Sequence, residues 1–163
     1  MSRAFVNEDN AAAQADQPVE RSISEYPNYV TPAGLAQLHE RVAQLQAEQQ
    51  ALQSLGDEAN KQRLVDVQRD LRYFGQRAQS AQVVVLAESA GKVQIGNWVT
   101  FADEQDNQQR VQLVGEDQAD VGQGLVNWAS PLGRALLGAG PGDEVVWKRP
   151  VGDLAIEIVE IGA

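Results

Sequence analysis

The residues best suited to chemistry in this 163-residue chain are two adjacent carboxylates, Asp57 and Glu58, in the stretch Gly56-Asp57-Glu58-Ala59-Asn60. Neighbouring carboxylates can hold a hard divalent cation, whose oxygen ligands must come within about 2–2.5 Å of the ion. The same residues also read as a helix stop and start. Gly56 would end one helix in a left-handed conformation, Asp57 would cap the next, and Glu58 would complement its positive N-terminal end. Little else competes for a chemical role. There is no cysteine, so neither a disulfide nor a thiolate metal site can form. A single histidine, His39, excludes multi-histidine zinc sites. An exposed turn also lacks the apolar pocket that would shift carboxyl pKa values and exclude water. The chain is therefore not expected to be an enzyme.

The elements that must position these carboxylates are two helices. Thr31 and Pro32 supply a start, the first as a cap and the second at the first helical position. Leu35, Leu38, Val42, Leu45 and Leu52 then fall on alternating three- and four-residue steps. Leu64, Val67, Leu71, Phe74, Ala78, Ala81 and Val85 repeat the alternation after the glycine turn. Two such seams predict an antiparallel helical hairpin over residues 28–86, with its tip near 55–60. Lys61, Arg63, Arg69, Arg72 and Arg77 line the second arm, and Asp66 and Asp70 at helical spacing make a salt-bridged, solvated face the expected arrangement.

Beyond residue 86 the texture changes to short Val-, Ile- and aromatic-rich runs, 97–103, 110–116, 144–149 and 154–161, separated by turns. Between them Ser130 is a cap, Pro131 takes the first helical position and Gly138 ends a two-turn helix. The fold class is thus α+β: a coiled-coil hairpin followed, over 87–163, by a small antiparallel sheet with one short helix. Residues 1–27, rich in Ala, Gln, Asn and Asp, read as a disordered tail without a secretory signal. A cytoplasmic protein is expected, since no apolar run is long enough for a membrane span.

Net charge is −10, unevenly spread. Residues 35–80 carry six basic and six acidic side chains, whereas residues 81–163 carry five and twelve. An acidic half repels phosphate backbones, so independent duplex DNA binding is not expected. A basic protein surface or metal ions suit it better.

The stretches Tyr29-Val30-Thr31-Pro32-Ala33-Gly34-Leu35, Ser54-Leu55-Gly56-Asp57 and Ser130–Ile161 together resemble the GreA/GreB family of bacterial transcription factors. The resemblance covers about residues 28–162. It implies an FKBP-like C-terminal domain that docks on bacterial RNA polymerase at the rim of its secondary channel, through Ser130, Pro131 and Arg134. It implies a finger that enters the channel, approaches nascent RNA, and brings Asp57 and Glu58 to a Mg²⁺ shared with the polymerase, which itself cleaves backtracked RNA. No cofactor of the chain's own is implied. A fold of this kind does not by itself carry prolyl isomerase activity.

Three departures from the family pattern shape the expected function. The tip keeps Gly56 and Asp57 with Glu58 directly next, but lacks the residues that in the family separate Gly-Asp from a Glu-Asn pair and the aromatic-containing stretch that follows it. The residue before Ser130, often Asp or Asn in the family, is Ala129. Both arms are about two turns shorter than in cleavage factors, which withdraws the tip by roughly 10 Å at 1.5 Å per residue. A regulator of transcription elongation with weak or no stimulation of transcript cleavage is therefore expected. The alternative is an Rnk-like interaction module acting outside the channel.

Overall fold

The computed structural model describes residues 19–88 and 91–163. Residues 1–18 of the expected tail lie outside the described residues. The chain divides into two compact units, Met1–Ser24 with Glu40–Gln76, and Glu25–His39 with Arg77–Ala163. Both long helices run through the boundary. Among the described residues, no helix is long and apolar enough to cross a membrane.

In the first unit the outer parts of helix α1 (Pro32–Ser54) and helix α2 (Lys61–Ser80) form the arms of the hairpin. The apolar seam reads through as expected, with Leu45 and Val67 fully buried. An arm-to-arm ion pair reinforces it: Arg63 on α2 donates through Nε and a terminal nitrogen to the two Glu48 oxygens on α1, at 2.5 and 2.8 Å. The described part of the N-terminal segment forms no helix or strand, yet it lies against α2.

In the second unit the roots of both arms meet a curled mixed sheet. Strand β1 (Tyr29–Val30) precedes α1, and β2 (Gln82–Val83) follows α2; the two pair in parallel, Tyr29 with Gln82 and Val30 with Val83. Helix α2 stops at Ser80, short of the apolar run that extends to Val85. A run of three valines favours extended backbone. Here that backbone finds partners in β1: Gln82 N–H donates to Asn28 O and Val84 N–H to Val30 O, both at 2.8 Å. Thr31 caps α1 as expected, its hydroxyl accepting from Gly34 N–H at 3.0 Å while donating to Gln118 Oε1 at 2.6 Å.

The sheet contains β3 (Trp98–Asp103), β4 (Gln108–Val114), β5 (Leu125–Asn127), β6 (Glu144–Trp147) and β7 (Leu154–Gly162), in the order β5-β4-β3-β7-β6. The fold class is the α+β arrangement expected, with one difference of detail. The β4–β5 pair is parallel, because the chain from Gly115 to Gly124 crosses back before pairing. Alternate residues of the central strands, Val99 and Phe101, Val111 and Leu113, Ile156 and Ile158, point to one face. There they meet Leu132 and Leu136 of the short helix α3 (Pro131–Leu136), closing the core.

Candidate functional site

At the hairpin tip the chain makes a single 3₁₀ turn, Gly56–Glu58, between the arms. Gly56 has φ 58°, the left-handed value that lets α1 end sharply. Asp57 and Glu58 are both exposed and, among the described residues, make no side-chain hydrogen bond or ion pair. The cap of α2 is not Asp57 but Asn60, whose Oδ1 accepts from Arg63 N–H at 3.0 Å. The intervening turn moves Asp57 three residues upstream of the cap position, and Asn60, itself a favoured cap residue, was a signal available in the sequence. The tip carboxylates are therefore not occupied in holding the helix. Two adjacent carboxylates supply only part of an octahedral Mg²⁺ shell. That donor set fits an ion shared with another molecule's ligands; among the described residues no group of three His, Asp or Glu side chains converges on one point.

The second candidate centres on α3. Asn127 builds the turn into it: Oδ1 accepts from Ala129 N–H at 2.9 Å, while its carbonyl accepts from Ser130 N–H and from the Ser130 hydroxyl, the latter at 2.6 Å. The same hydroxyl accepts from Gly133 N–H at 3.1 Å. Ser130 thus spends its hydrogen-bonding capacity on capping, and Pro131 beside it is exposed. The turn closes so tightly that a Cβ on Gly133 would stand 2.3 Å from Asn127 O and 2.6 Å from Trp128 O. Arg134 is exposed and donates to the Tyr26 hydroxyl at 3.2 Å. Tyr26 and Tyr29 in turn flank Trp128, with ring centroids 5.9 and 5.3 Å away. Trp128 packs the segment before α1 against the turn before α3.

Beside Ser130 and Pro131 an open groove of about 840 Å³ runs over the sheet. Its walls are apolar, with Val111, Val126, Pro131, Leu132, Trp147 and Pro150 among them. Val121 and Val151, 89% and 84% exposed, stand at its margins. Arg110, Lys148 and Arg149 also line it, and none of the three has an ion-pair partner among the described residues. Arg110 stacks over Trp98 at 4.4 Å and Arg149 donates to Gly152 O at 3.2 Å. Unpaired cations gathered on one apolar groove, in a half of the chain with a large acidic excess, went unnoticed in the sequence because they come from distant strands.

The remaining departure concerns Arg77. Helical spacing places it on the solvated face of α2, but it is buried in the second unit. Its Nε donates to Asp117 Oδ2 at 2.7 Å and a terminal nitrogen to Asn28 Oδ1 at 2.8 Å, with Glu116 at 3.6 Å. Asn28 closes the ring by donating to Arg77 O at 2.8 Å and Ser80 Oγ at 3.1 Å. The network ties the root of the hairpin to the loop after β4. Arg69 matches the expected pattern, pairing with Asp66 and Asp70 at 3.7 and 3.3 Å, whereas Arg63 pairs with Glu48 of α1 and Arg72 with Glu20 of the N-terminal segment.

The described residues thus comprise a helical hairpin with exposed acids at its tip and a curled sheet domain with an apolar, cation-lined groove at a Ser-Pro turn. The family described as "Transcription elongation factor, GreA/GreB, C-term" matches residues 88–163. Transcription elongation factor GreB of Neisseria meningitidis serogroup B is 32% identical over 155 residues, covering 85% of this chain and 95% of that protein. Transcription elongation factor GreA of Hyphomonas neptunium is 31% identical over 156 residues, covering 94% and 93%. The chain belongs to the GreA/GreB family of transcription elongation factors. Among solved structures, GreA factor homolog 1 (Gfh1) of Thermus thermophilus is 24% identical and covers 85% of this chain and 100% of that one. The TM-score with that structure is 0.41.

Proposed function

We propose that the chain regulates elongation by binding bacterial RNA polymerase at the rim of its secondary channel, with the start of α3 and the adjoining groove as docking surface. The observation that carries this reading is the apolar groove beside Pro131 with three unpaired cations on its walls. Such a surface costs the free protein solubility and electrostatic satisfaction, and a partner with apolar and acidic groups removes both costs. The sequence's overall charge pointed to a basic partner, whereas the groove itself has the opposite sign. Within it Pro131 offers the apolar contact, Ser130 shapes the turn, and Arg134 keeps guanidinium donors beyond the one given to Tyr26.

The hairpin is the finger of this factor, and it stimulates transcript cleavage weakly or not at all. Helix α2 has 20 residues, about 30 Å at 1.5 Å per residue. The 155 positions aligned with the Neisseria protein take up only 85% of this chain, fewer residues than positions, which supports a longer relative within the matched region. Asp57 and Glu58 are free to join a shared Mg²⁺, whose chemistry is charge stabilisation at a reacting phosphate, but a tip several ångströms short cannot place oxygens within its coordination distance. Contact with nascent RNA has less support, since Arg63, Arg69 and Arg72 are all ion-paired within the hairpin unit.

A pull-down with core RNA polymerase tests the docking. Association should weaken with rising salt and on Pro131→Asp or Arg110→Gln with Lys148→Gln. No association of the wild type at physiological salt would refute the reading and favour an interaction module outside the channel. In a backtracked elongation complex with Mg²⁺, robust cleavage that disappears in Asp57→Ala and Glu58→Ala would overturn the argument from reach.

A further inference from the structure

The groove beside Pro131 has a chemical match within the chain itself. Its walls are apolar, Val126, Leu132 and Trp147 among them, and Arg110, Lys148 and Arg149 line it without an ion-pair partner among the described residues. Such a surface fits a short peptide that carries a bulky apolar side chain with acids close behind it. In the stretch that precedes the described residues, Phe5 and Val6 are the large apolar side chains after Met1, and Glu8 and Asp9 follow one residue later. The single basic residue of that stretch, Arg3, lies ahead of the apolar pair.

The tether to this stretch starts beside the groove. Arg134 of α3 donates to the Tyr26 hydroxyl at 3.2 Å, and the Tyr26 ring lies 5.9 Å from Trp128. Seventeen residues lead back from Tyr26 to Asp9, up to about 60 Å of extended chain. A unit of about 100 residues has a radius of gyration of about 13 Å, so the tether reaches any part of the second unit's surface. Within it Glu20 and Arg21 pair with Arg72 and Asp70 of α2, but exposed pairs of this kind hold weakly. We propose that residues 4–9 occupy the groove intramolecularly and shield it until a stronger partner displaces them. Extended backbone puts Phe5 and Asp9 on one face and Val6 and Glu8 on the other, so either face offers the groove one apolar side chain and one acid. The consequence rests on the groove being the polymerase-docking surface: the segment and the polymerase then compete for it. A tether of this length gives an effective concentration of about 1 mM. With a free-peptide dissociation constant of about 10⁻⁴ M, the groove is filled about nine-tenths of the time and a competitor is weakened about tenfold.

Nuclear magnetic resonance on the full chain tests occupancy without the polymerase. Phe5→Ser with Val6→Ser, and separately Glu8→Gln with Asp9→Gln, should shift the backbone amides of Val111 and Val126 and the Trp147 indole N–H. The shifts should not depend on protein concentration. A synthetic peptide of residues 1–12, added to the Phe5→Ser, Val6→Ser chain, should move those signals back, and severalfold more weakly once Lys148→Gln and Arg149→Gln are present. In the pull-down, the Phe5→Ser, Val6→Ser chain should bind core RNA polymerase about tenfold more tightly than the wild type. Groove signals identical in wild type and both variants overturn the inference, as does a peptide that leaves them unmoved. Shifts that grow with concentration would place the segment in a neighbouring copy and refute the intramolecular form. Peptide binding at the groove, with no polymerase association by wild type or variant, would uphold the occupancy and refute the docking reading instead.

Discussion

Replacing Arg77 by methionine should be among the most damaging single changes that leave the surface untouched. Methionine keeps much of the aliphatic stem, so the loss is confined to the guanidinium. That removes the 2.7 Å bond to Asp117 and the 2.8 Å bond to Asn28. Asn28 retains its donor bonds to Arg77 O and Ser80 Oγ, because the first is to backbone. Asp117 loses the guanidinium that it meets in a largely buried position: its side chain is 10% exposed, and Glu116 lies 3.6 Å from the same guanidinium. Removing one partner of a buried ion pair costs about 3–5 kcal/mol. For a chain of this size that corresponds to a fall in melting temperature of about 8–15 °C. Urea unfolding at neutral pH would measure it, with an unchanged slope showing that the unfolded state is not responsible. The double variant Arg77→Met, Asp117→Leu should recover most of the loss, since an apolar pair of similar volume is often as stable as the buried ions. A single-variant cost below about 1 kcal/mol, the range of exposed pairs, would refute the view that this network holds the hairpin root.

Three further outcomes follow from the geometry. Asn60→Ala should cost about 1 kcal/mol in thermal or urea unfolding, the value of a lost cap, while Asp57→Ala should change stability by no more than about 0.5 kcal/mol; the reverse order would restore Asp57 as the cap. Gly133→Ala should destabilise by about 1–3 kcal/mol, because the added methyl meets backbone that cannot swing aside, and polymerase association should fall with it. The Glu48 carboxyl lies below its usual 4.5, chiefly because Arg63 hydrogen-bonds to the charged form, and against the opposing effect of burial. A depressed carboxyl contributes stability above its unfolded value that is lost as pH falls through the folded one. The difference in melting temperature between wild type and Glu48→Gln should therefore be largest near neutral pH and shrink as pH falls below 4.5 through the lowered folded value.

How much of this was legible in the sequence depended on whether a signal was local. Thr31 and Pro32 at a helix start, Ser130 and Pro131 at another, and the three-four spacing of Leu38, Leu45 and Val67 all act within a few residues, and all appear where the pattern placed them. The end of α2 was misread because Ala81 and Val85 continue a helical spacing by coincidence, while the extended backbone of Gln82 and Val83 answers to partners some 50 positions earlier. Arg77 has the same explanation: the acid at helical spacing, Asp70, stands two turns back, but its true partner, Asp117, arrives from the loop after β4. β5, three residues long, is defined by its pairing with β4 and offers no alternation to detect. At the tip the choice between Asp57 and Asn60 as cap turned on a single 3₁₀ turn, which sequence spacing does not resolve. The groove combines Arg110 from β4 with Lys148 and Arg149 beyond β6, a juxtaposition only the strand order creates.

The parallel pairing of β1 with β2 has a consequence for how such a protein can change. Both ends of the hairpin are pinned, one strand before α1 and one after α2, with Asn28 bridging them to Arg77 and Ser80. Everything between is a closed excursion of the chain. Matched deletions or insertions of whole turns in the two arms alter the excursion without disturbing either pin, the sheet or the groove. Arm length thus becomes an adjustable quantity, separable from the sheet, and a lineage can shorten its hairpin in steps while every intermediate still folds.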